Sequence, residues 1–547
     1  MTYKTQIQKW LESSIVDEVT KAEIEKLDET EAEDSFYCSL KFGTGGLRGV
    51  MGVGTNRMNV YTVRQATQGL ASEILGIGGD APSRGVAIAY DSRNNSPEFA
   101  AECAKVLTAN GIKTYLFESL RPTPELSFTV RHLGCIRGIV ITASHNPKQY
   151  NGYKVYGEDG GQIAPESAKI IQGFIDNTDI FEGVRITDDA NPIMLGADVD
   201  AEYIKCVKAC AFNTQIPEDF KVVYTPLHGS GNLLVRRILD EIGVKNVFTV
   251  PEQEMPDGNF STVRSPNPED AEALKIAIDY AKEQGADLVL GTDPDSDRVG
   301  IAVPDGNGGY KPLTGNQTGA LLCEYMLQNT KLNENSTVVK TIVTTEMIAS
   351  ICKSYGVKLI DVLTGFKYIG EQIKILEDKG QKDDFVFGLE ESYGYLAGTY
   401  ARDKDAVVAS MLIAGMAASC KYEGITILDK LNALYEKYGY YMEKMETATL
   451  TGIAGLEEIK SIMAKFRKGP LPLDIEKTED YSLGINSLPK SDVLKFFTSD
   501  GSHFEVRPSG TEPKIKFYFG VCSDSYEESV RKLQNLKDKV MGFAFDK

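Results

Sequence analysis

The chain has 547 residues, of which 42% are hydrophobic and 25% are charged, an ordinary globular composition. This composition excludes disordered, collagen-like and disulfide-rich proteins, and at roughly 150 residues per domain the length predicts three to four domains. The formal net charge of −19 excludes nucleic acid and anionic membranes as principal partners, because an acidic protein repels both.

The chain begins with about 40 residues whose apolar side chains favour amphipathic helix, and an alternation of strands and helices follows. Predicted strands cover residues 85–90, 113–117, 138–142, 222–224, 246–250, 287–290, 338–343, 358–362 and 385–387. Predicted helices between them include residues 96–110, 233–242 and 269–284. This alternation predicts three related α/β domains with mixed or parallel sheets.

The last part of the chain has a different order of elements. From about residue 440 a helix comes first, at 455–468, and short strands follow at 494–498 and 515–519 before a final helix. That order predicts a smaller α+β domain at the carboxyl end. The four predicted domains are residues 1–208, 209–312, 313–439 and 440–547.

The sequence contains no predicted targeting or membrane-spanning segment. The first residues include acidic side chains and lack the apolar core of a signal peptide, and the most apolar stretch, 407–419, is shorter than the ~18 residues of a membrane span. Nine scattered cysteines without zinc-site spacing favour reduced thiols. We therefore expect a soluble cytoplasmic protein with no membrane partner and no evident obligate protein partner.

A serine-containing turn, residues 142–147 (TASHNP), follows the predicted strand 138–142. A serine hydroxyl becomes a nucleophile only beside a base or in a suitable charge environment. His145 is the adjacent candidate base, although neighbouring side chains often point apart. The alternative is a turn whose hydroxyls only satisfy backbone groups.

An acidic loop, residues 291–298 (GTDPDSDR), follows the predicted strand 287–290. Carboxylates at Asp293, Asp295 and Asp297 repel one another unless a cation lies between them, and oxygen-only ligands suit Mg²⁺. An EF-hand is excluded because Arg298 stands where that loop needs Gly. Asp297 also disfavours an aspartyl-nucleophile phosphatase, which leaves a solvated acidic turn as the alternative.

Three further segments carry polar chemistry on glycine-containing turns. Residues 388–395 (GLEESYGY) offer carboxylates and hydroxyls to a polyol, although such a loop is more often simply solvated. In residues 507–514 (RPSGTEPK), an arginine fork, hydroxyls and a glycine favour a phosphate site over a polar turn. Residues 42–49 (FGTGGLRG) place Arg48 among glycines but lack the lysine and hydroxyl of a P-loop.

The motifs TASHNPKQYNGYK, GTDPDSDR, GLEESYGY and RPSGTEPK occur in this order along nearly the whole chain. With them the chain resembles the α-D-phosphohexomutase superfamily of phosphoglucomutases, phosphomannomutases and phosphopentomutases. The resemblance implies an isomerase with four domains, three of them α/β and the last smaller, around a central cleft.

The resemblance also implies roles for individual residues. Ser144 would be the phosphoserine, and Asp293, Asp295 and Asp297 would bind one Mg²⁺ per chain together with the phosphate on Ser144. The other implied catalytic residues are Arg48, Lys154, Lys404 and His145, the last ordering the serine loop. The implied substrate-binding residues are Arg298, Thr364, Gly365, Lys367, Glu390, Ser392, Arg507, Ser509, Gly510 and Thr511.

The implied reaction interconverts glucose 1-phosphate and glucose 6-phosphate, with glucose 1,6-bisphosphate as primer and intermediate. The sugar loop favours glucose, whereas TPLHGSGN at 225–232 is similar to the branch containing phosphopentomutases. Mannose and pentose phosphates therefore remain alternatives among sugar-phosphate partners. A catalytically silent binding or scaffold relative is the alternative from another class, disfavoured by the intact Ser144 and acidic loop.

Overall fold

The protein is described by a computed structural model. It describes residues 2–43, 45–450, 452–486, 488–509 and 514–545, with the side chains of residues 452 and 453 left out. The chain divides into two compact units. The first unit comprises Met1–Leu313, Gly370–Lys382 and Gly394–Tyr422, and the second comprises Thr314–Ile369, Asp383–Tyr393 and Glu423–Lys547.

The amino-terminal segment forms short helices rather than one long helix. They are α1 (Tyr3–Glu12), α2 (Glu18–Lys26) and α3 (Glu29–Phe36). The side chains of Asp17 and Asp28 accept backbone N–H groups at the starts of α2 and α3, so each helix begins at its own cap. Trp10 is fully buried in an apolar cluster that these helices share with Tyr61 and Phe181, whereas Ile15 lies between helices and is exposed.

The first sheet lies in the first unit. Its elements are β1 (Gly46–Val50), α4 (Val60–Ile77), α5 (Ala81–Arg84), β2 (Val86–Tyr90), α6 (Ser96–Ala109), β3 (Thr114–Phe117), α7 (Thr123–Leu133), β4 (Arg137–Ile141), β5 (Tyr150–Tyr156), α8 (Pro165–Asp176), β6 (Ile193–Leu195) and α9 (Ala197–Lys208). The strand order is β1-β5-β4-β2-β3-β6. The four neighbouring strands β4, β2, β3 and β6 run parallel to one another. Strand β5 pairs antiparallel with both β1 and β4.

The second sheet also belongs to the first unit. Its elements are β7 (Lys221–Thr225), α10 (Gly231–Glu241), β8 (Asn246–Thr249), α11 (Pro251–Glu254), α12 (Lys275–Gln284), β9 (Leu288–Thr292), β10 (Val299–Pro304) and β11 (Tyr310–Leu313). The order is β11-β10-β9-β7-β8, with β9, β7 and β8 parallel. The helix predicted from residue 269 begins at Lys275, because turns occupy the residues after Pro268.

The third group of elements contributes to both units. It contains α13 (Gly315–Asn329), β12 (Thr337–Thr341), α14 (Met347–Tyr355), β13 (Lys358–Val362), α15 (Phe366–Asp378), β14 (Phe385–Leu389), β15 (Tyr395–Ala397), α16 (Ala406–Glu423) and α17 (Ile427–Tyr438). Within the second unit, β12 lies between β13 and β14 and is parallel to both.

The carboxyl-terminal part of the second unit is an antiparallel sheet with two helices. It contains β16 (Met442–Thr449), α18 (Gly452–Lys468), β17 (Ile475–Asp480), β18 (Leu494–Thr498), β19 (His503–Pro508), β20 (Lys514–Val521) and α19 (Tyr526–Phe545). Its strand order is β16-β20-β19-β18-β17. The predicted fold class, three α/β sheets followed by a smaller α+β domain, is confirmed.

Among the described residues, no single helix is long and apolar enough to cross a membrane. Only α16 and α17 taken together, across the break between them, pass that test of length and composition. A buried core helix passes the same test, and most of α16 is buried.

Candidate functional site

The serine turn leaves the first sheet at the carboxyl end of β4. Ser144 is buried and has φ of +52°, in the left-handed region that a serine seldom adopts. Its backbone N–H donates to Oγ1 of Thr142 at 2.8 Å. The turn therefore holds the serine in an unusual conformation with its backbone amide satisfied.

The hydroxyl of Ser144 faces the acidic loop. Its Oγ donates to Oδ2 of Asp293 at 2.9 Å and lies 3.2 Å from Nδ1 of His145. Burial lowers the pKa of His145 well below its ordinary value, and the nearby Arg298 and Arg48 lower it further. The serine oxygen thus lies between a carboxylate and a neutral imidazole. A turn whose hydroxyls only satisfied backbone groups would not need these two side-chain contacts.

The acidic loop is buried, which excludes the solvated turn. Asp293, Asp295 and Asp297 are at most 1% exposed, and one oxygen of each lies within 4.8 Å of the others. Burial raises the pKa of Asp293 well above its ordinary value, and the other two carboxylates raise it further. Burial also raises the pKa of Asp297. Three carboxylates so close together need positive charge between them.

These carboxylates fit a hard divalent cation. Oδ1 of Asp295 and Oδ1 of Asp297 have no hydrogen-bond partner within the part of the chain that the structure describes. Buried polar oxygens are normally satisfied, and an oxygen-only donor set suits Mg²⁺. The geometry and the donor chemistry therefore agree with a metal site at this loop.

Two lysines approach the same loop from other elements. Nζ of Lys154 on β5 lies 3.1 Å from Oδ2 of Asp295, and Nζ of Lys404, after β15, lies 2.7 Å from Oδ2 of Asp297. Burial alone would raise the pKa of Asp295, but the two lysines hold it below its ordinary value. Both sequence-predicted lysines thus lie at the acidic loop.

Two arginines complete this part of the site. The Arg48 guanidinium donates to Oδ1 of Asn146 at 3.5 Å, which places Arg48 beside the serine turn. Arg298 is the last residue of the acidic loop and forms a close ion pair with Glu269. The first unit therefore brings together the serine, its histidine, the acidic loop and these cations.

Two segments that support the site were not identified as parts of it from the sequence. Asp91 and Arg93 follow β2 and contact the serine turn, and the signal for them is a run of polar residues directly after a buried strand. The turn before α10 supports the acidic loop, because the N–H and Oγ of Ser230 both donate to the carbonyl oxygen of Pro294, at 2.8 and 2.9 Å.

In the second unit, the sugar-loop residue Glu390 follows β14 and is buried. Its Oε1 accepts the N–H of Gly365 at 2.9 Å, and Gly365 has φ of +121°, which favours glycine. Oγ1 of Thr364 is buried without a hydrogen-bond partner among the residues described. Glu390, Gly365 and Thr364 therefore lie together where β13 and β14 end.

The other predicted substrate-binding residues lie in two separate parts of the second unit. Ser392 is half-buried in the same loop, and Nζ of Lys367 lies 5.0 Å from the ring centroid of Tyr368. On the last sheet, the Arg507 guanidinium donates to the hydroxyl of Tyr518 at 3.5 Å. The N–H of Ser509 donates to the carbonyl oxygen of Lys514 at 2.7 Å. Gly510 and Thr511 lie outside the described residues.

Models of the phosphoglucomutase/phosphomannomutase family match four stretches of the chain. Alpha/beta/alpha domain I matches residues 39–180, domain II 201–308, domain III 314–438 and the C-terminal domain 445–533. The matches follow the order of the sheets described above and cover most of the sequence.

Individual relatives agree with these matches. A phosphoglucomutase of Staphylococcus aureus (strain USA300) is 36% identical, over 96% of this chain and 97% of its own length. A phosphoglucomutase/phosphomannomutase family protein of Burkholderia thailandensis is similar in structure, with a TM-score of 0.68, 19% identity and coverage of 92% and 97%. Parafusin, a phosphoglucomutase from Paramecium in its open form, has a TM-score of 0.69, 18% identity and coverage of 93% and 95%.

Proposed function

Because the chain belongs to the phosphoglucomutase/phosphomannomutase family, we propose that it interconverts α-D-glucose 1-phosphate and D-glucose 6-phosphate. At the coarser level it is a phosphohexomutase, an enzyme of the isomerase class. The observation that carries the proposal is the Ser144 hydroxyl, which donates to Asp293 in a buried acidic cluster. Curated relatives named phosphoglucomutase at 36–37% identity favour glucose as the sugar.

In the proposed reaction, Ser144 carries a phosphoryl group. The bond between phosphorus and the serine oxygen breaks as a bond forms from phosphorus to the free hydroxyl oxygen of the sugar monophosphate, and the proton of that hydroxyl passes in net terms to the serine oxygen. The product is glucose 1,6-bisphosphate. After the bisphosphate reverses its orientation, Ser144 attacks the other phosphoryl group, the sugar oxygen regains a proton, and the phosphoserine is restored.

The protein's task in such a transfer is to position groups and neutralise charge. Asp293, Asp295 and Asp297 would hold one Mg²⁺ next to the phosphate on Ser144. When bound, Mg²⁺ supplies positive charge that stabilises the phosphoryl oxygens during transfer. Burial keeps water away from the loop and strengthens each of these electrostatic contacts.

The cations of the first unit offset the charge of an anionic substrate in a chain of net charge −19. Lys154 and Lys404 lie at the acidic loop, and Arg48 lies at the serine turn, so each can contact a phosphoryl group presented to Ser144. Arg298, oriented by Glu269, would add a fourth cation to this phosphate environment.

The second unit carries side chains suited to a sugar and to a phosphate. Carboxylate and hydroxyl groups of the sugar loop suit the hydroxyls of a hexose, and an arginine with neighbouring hydroxyls suits the phosphate that is not reacting. The proposed sugar-binding residues are Thr364, Gly365, Lys367, Glu390 and Ser392. The proposed phosphate-binding residues are Arg507, Ser509, Gly510 and Thr511.

The test is an assay of purified protein with Mg²⁺ and glucose 1,6-bisphosphate, using glucose 1-phosphate, mannose 1-phosphate and ribose 1-phosphate as substrates. We expect glucose 1-phosphate to give the highest kcat/KM. Mannose 1-phosphate is the second candidate, because the family models include phosphomannomutases. A clear preference for mannose or ribose phosphate would replace the proposed substrate without changing the reaction class.

Intact mass and peptide analysis test the serine directly. Wild-type protein should contain a fraction with one phosphate on Ser144, and Ser144→Ala should lose this phosphate and nearly all activity. Ser83→Ala is the matched control, because Ser83 is an exposed serine whose hydroxyl donates only to the Asp80 carbonyl oxygen. Phosphate mapped to another residue would overturn the assignment.

A further inference from the structure

The end of strand β2 lies against the serine turn. β2 and β4 are parallel neighbours, with Tyr90 opposite Ile141. Parallel neighbours in this register end at the same edge of the sheet. The residues after Tyr90 therefore emerge beside Ser144.

Arg93 holds the carbonyl side of the turn. One terminal nitrogen of its guanidinium donates to the carbonyl oxygen of Ser144 at 2.5 Å and also to that of Asn146. The other donates to the carbonyl oxygens of Pro147 and Tyr150 at 3.0 and 3.1 Å. One buried side chain thus satisfies three backbone acceptors of the serine turn and one at the start of β5.

Asp91 fixes the backbone N–H of Ser144 through the hydroxyl of Thr142. Its Oδ2 accepts the Thr142 hydroxyl at 2.6 Å, and that hydroxyl oxygen accepts the N–H of Ser144 at 2.8 Å. Its Oδ1 accepts the N–H of Arg93 at 2.9 Å, and the two side chains form an ion pair at 3.2 Å. Both peptide groups of Ser144 are therefore fixed from the end of β2.

Ser144 needs such support because of its backbone conformation. A residue other than glycine is strained in the left-handed region, and it stays there only where surrounding contacts impose the conformation. The conformation matters for the site, because it is the one in which Oγ of Ser144 reaches Oδ2 of Asp293.

We propose that Asp91 and Arg93 are positioning residues for phosphoryl transfer, which hold Ser144 in its left-handed conformation through its N–H and its carbonyl oxygen. The inference rests on the proposed role of Ser144. Neither residue contacts the serine hydroxyl in the structure, so both act through the backbone of Ser144 rather than on the reacting atoms.

Arg93→Lys tests the carbonyl side. Lysine keeps the positive charge but lacks the planar fork that reaches several acceptors at once. Dephosphorylated protein would be mixed with radiolabelled glucose 1,6-bisphosphate and saturating Mg²⁺, and label on Ser144 followed with time. A displacement of about 1 Å at a reacting atom costs on the order of 100-fold, so we expect the labelling rate constant to fall about 10- to 100-fold. The bisphosphate and Mg²⁺ concentrations for half-maximal rate should change little, which a general loss of structure would not produce.

Thr142→Val tests the amide side and keeps the proposal testable if Arg93→Lys does not fold. Valine has nearly the shape of threonine but removes the hydroxyl that links Asp91 to Ser144. We expect at least a 10-fold lower labelling rate constant, again with little change in the two half-saturation concentrations.

Arg84→Lys is the matched control. Arg84 precedes the other end of β2, where its Nε donates to the carbonyl oxygen of Gly134 at 2.9 Å and its guanidinium pairs with Glu158. It should label at the wild-type rate. A wild-type rate in folded Arg93→Lys or in Thr142→Val would overturn the positioning role of that side of the turn. Wild-type protein that takes no label on Ser144 would instead overturn the proposed function.

Discussion

Glu346 lies between two buried lysines of the second unit. Its Oε1 is 2.8 Å from Nζ of Lys495 on β18 and 3.4 Å from Nζ of Lys340 on β12. Burial by itself would raise the pKa of this carboxyl, but the two lysines hold it below its ordinary value. The ionised form of Glu346 therefore stabilises the contact between the third group of elements and the last sheet.

Glu346→Gln removes this charge while preserving shape. We expect the free energy of unfolding at pH 7 to fall on the order of 2 kcal/mol, below the range for a fully buried pair because a quarter of the side chain is exposed. A carboxyl with a lowered folded-state pKa contributes stability above its unfolded-state pKa of about 4.3 and loses it as the pH falls. Urea unfolding at pH 3.5 should therefore show a smaller difference from wild type than at pH 7.

Glu476→Gln serves as the control for this measurement. Glu476 is an exposed carboxylate on β17 in the same unit, so its substitution should change the unfolding free energy little at either pH. If Glu346→Gln lowered the free energy of unfolding by the same amount at both pH values, the ionised carboxylate would not be the source of the stability.

At the scale of single elements, the turn between β7 and α10 supports the acidic loop. Leu227 and His228 both have positive φ, at 45° and 63°, an uncommon conformation for two successive residues other than glycine. Gly229 follows them, and a Cβ there would lie 2.5 Å from Cα of Pro294. The close approach of the two backbones thus requires a glycine.

Gly229→Ala should displace the acidic loop and weaken its metal affinity. Loss of support behind metal ligands typically costs 10- to 100-fold in affinity, so we expect the Mg²⁺ concentration for half-maximal activity to rise about 10-fold or more. Removal of metal by a chelator should abolish activity in the wild type and in the variant, and Mg²⁺ should restore both.

Gly173→Ala is the matched control, because a Cβ at this position in α8 meets no atom beyond the backbone of its own helix within 4 Å. It should leave the Mg²⁺ dependence unchanged. Unchanged Mg²⁺ dependence in Gly229→Ala as well would show that the close contact with Pro294 does not position the loop.

The buried strands could be predicted because continuous apolar runs end at turn residues. The predicted strand 85–90 is β2, and the predicted strand 138–142 overlaps β4. The antiparallel strands β5 and β10 were not predicted. β5 mixes tyrosines with Asn, Gly and Lys, so its own pattern is ambiguous, and its place is set by pairing with β1 and β4.

In the candidate site, too, some residues could be predicted from the sequence and others could not. Ser144 and the acidic loop could be proposed because each stands in a distinctive motif after a predicted strand. The polar run after β2 marks Arg93 only as a residue at a strand end. Its contacts with the serine turn depend on β2 and β4 being neighbours, and sequence order alone does not determine that pairing. The ion pair of Arg298 with Glu269 likewise joins residues whose side chains meet only after the chain folds.

At the scale of the whole molecule, the first unit is built from three separate stretches of chain. The last of them, Gly394–Tyr422, supplies Lys404 to the acidic loop and Asp405, whose carboxylate accepts the hydroxyl of Tyr203 at 2.8 Å. The N–H of Ala406 also donates to the carbonyl oxygen of Ser296 within the loop. Residues 1–313 therefore lack groups that complete their own core.

A fragment of residues 1–313 should consequently fail to unfold cooperatively and should lack the Mg²⁺ affinity of the full chain, because buried hydroxyls and carboxylates lose their partners. A fragment of residues 1–422 contains all of the first unit and should retain both properties. Urea unfolding and calorimetric Mg²⁺ titration would compare the two fragments. Cooperative unfolding with full-chain Mg²⁺ affinity in residues 1–313 would contradict this expectation.

Because the first unit is built from separate stretches of the chain, its folding during synthesis must wait for the last of them. After Leu313 has been made, the ribosome must add about a hundred further residues before Tyr422 is reached, roughly 5–20 s at ordinary elongation rates. For most of that interval, until Lys404 has been added, the nascent acidic loop lacks this cation to oppose its charge. The first unit, although it begins at the amino terminus, is therefore finished only when most of the chain has left the ribosome, and chaperones have that interval in which to bind its uncovered core.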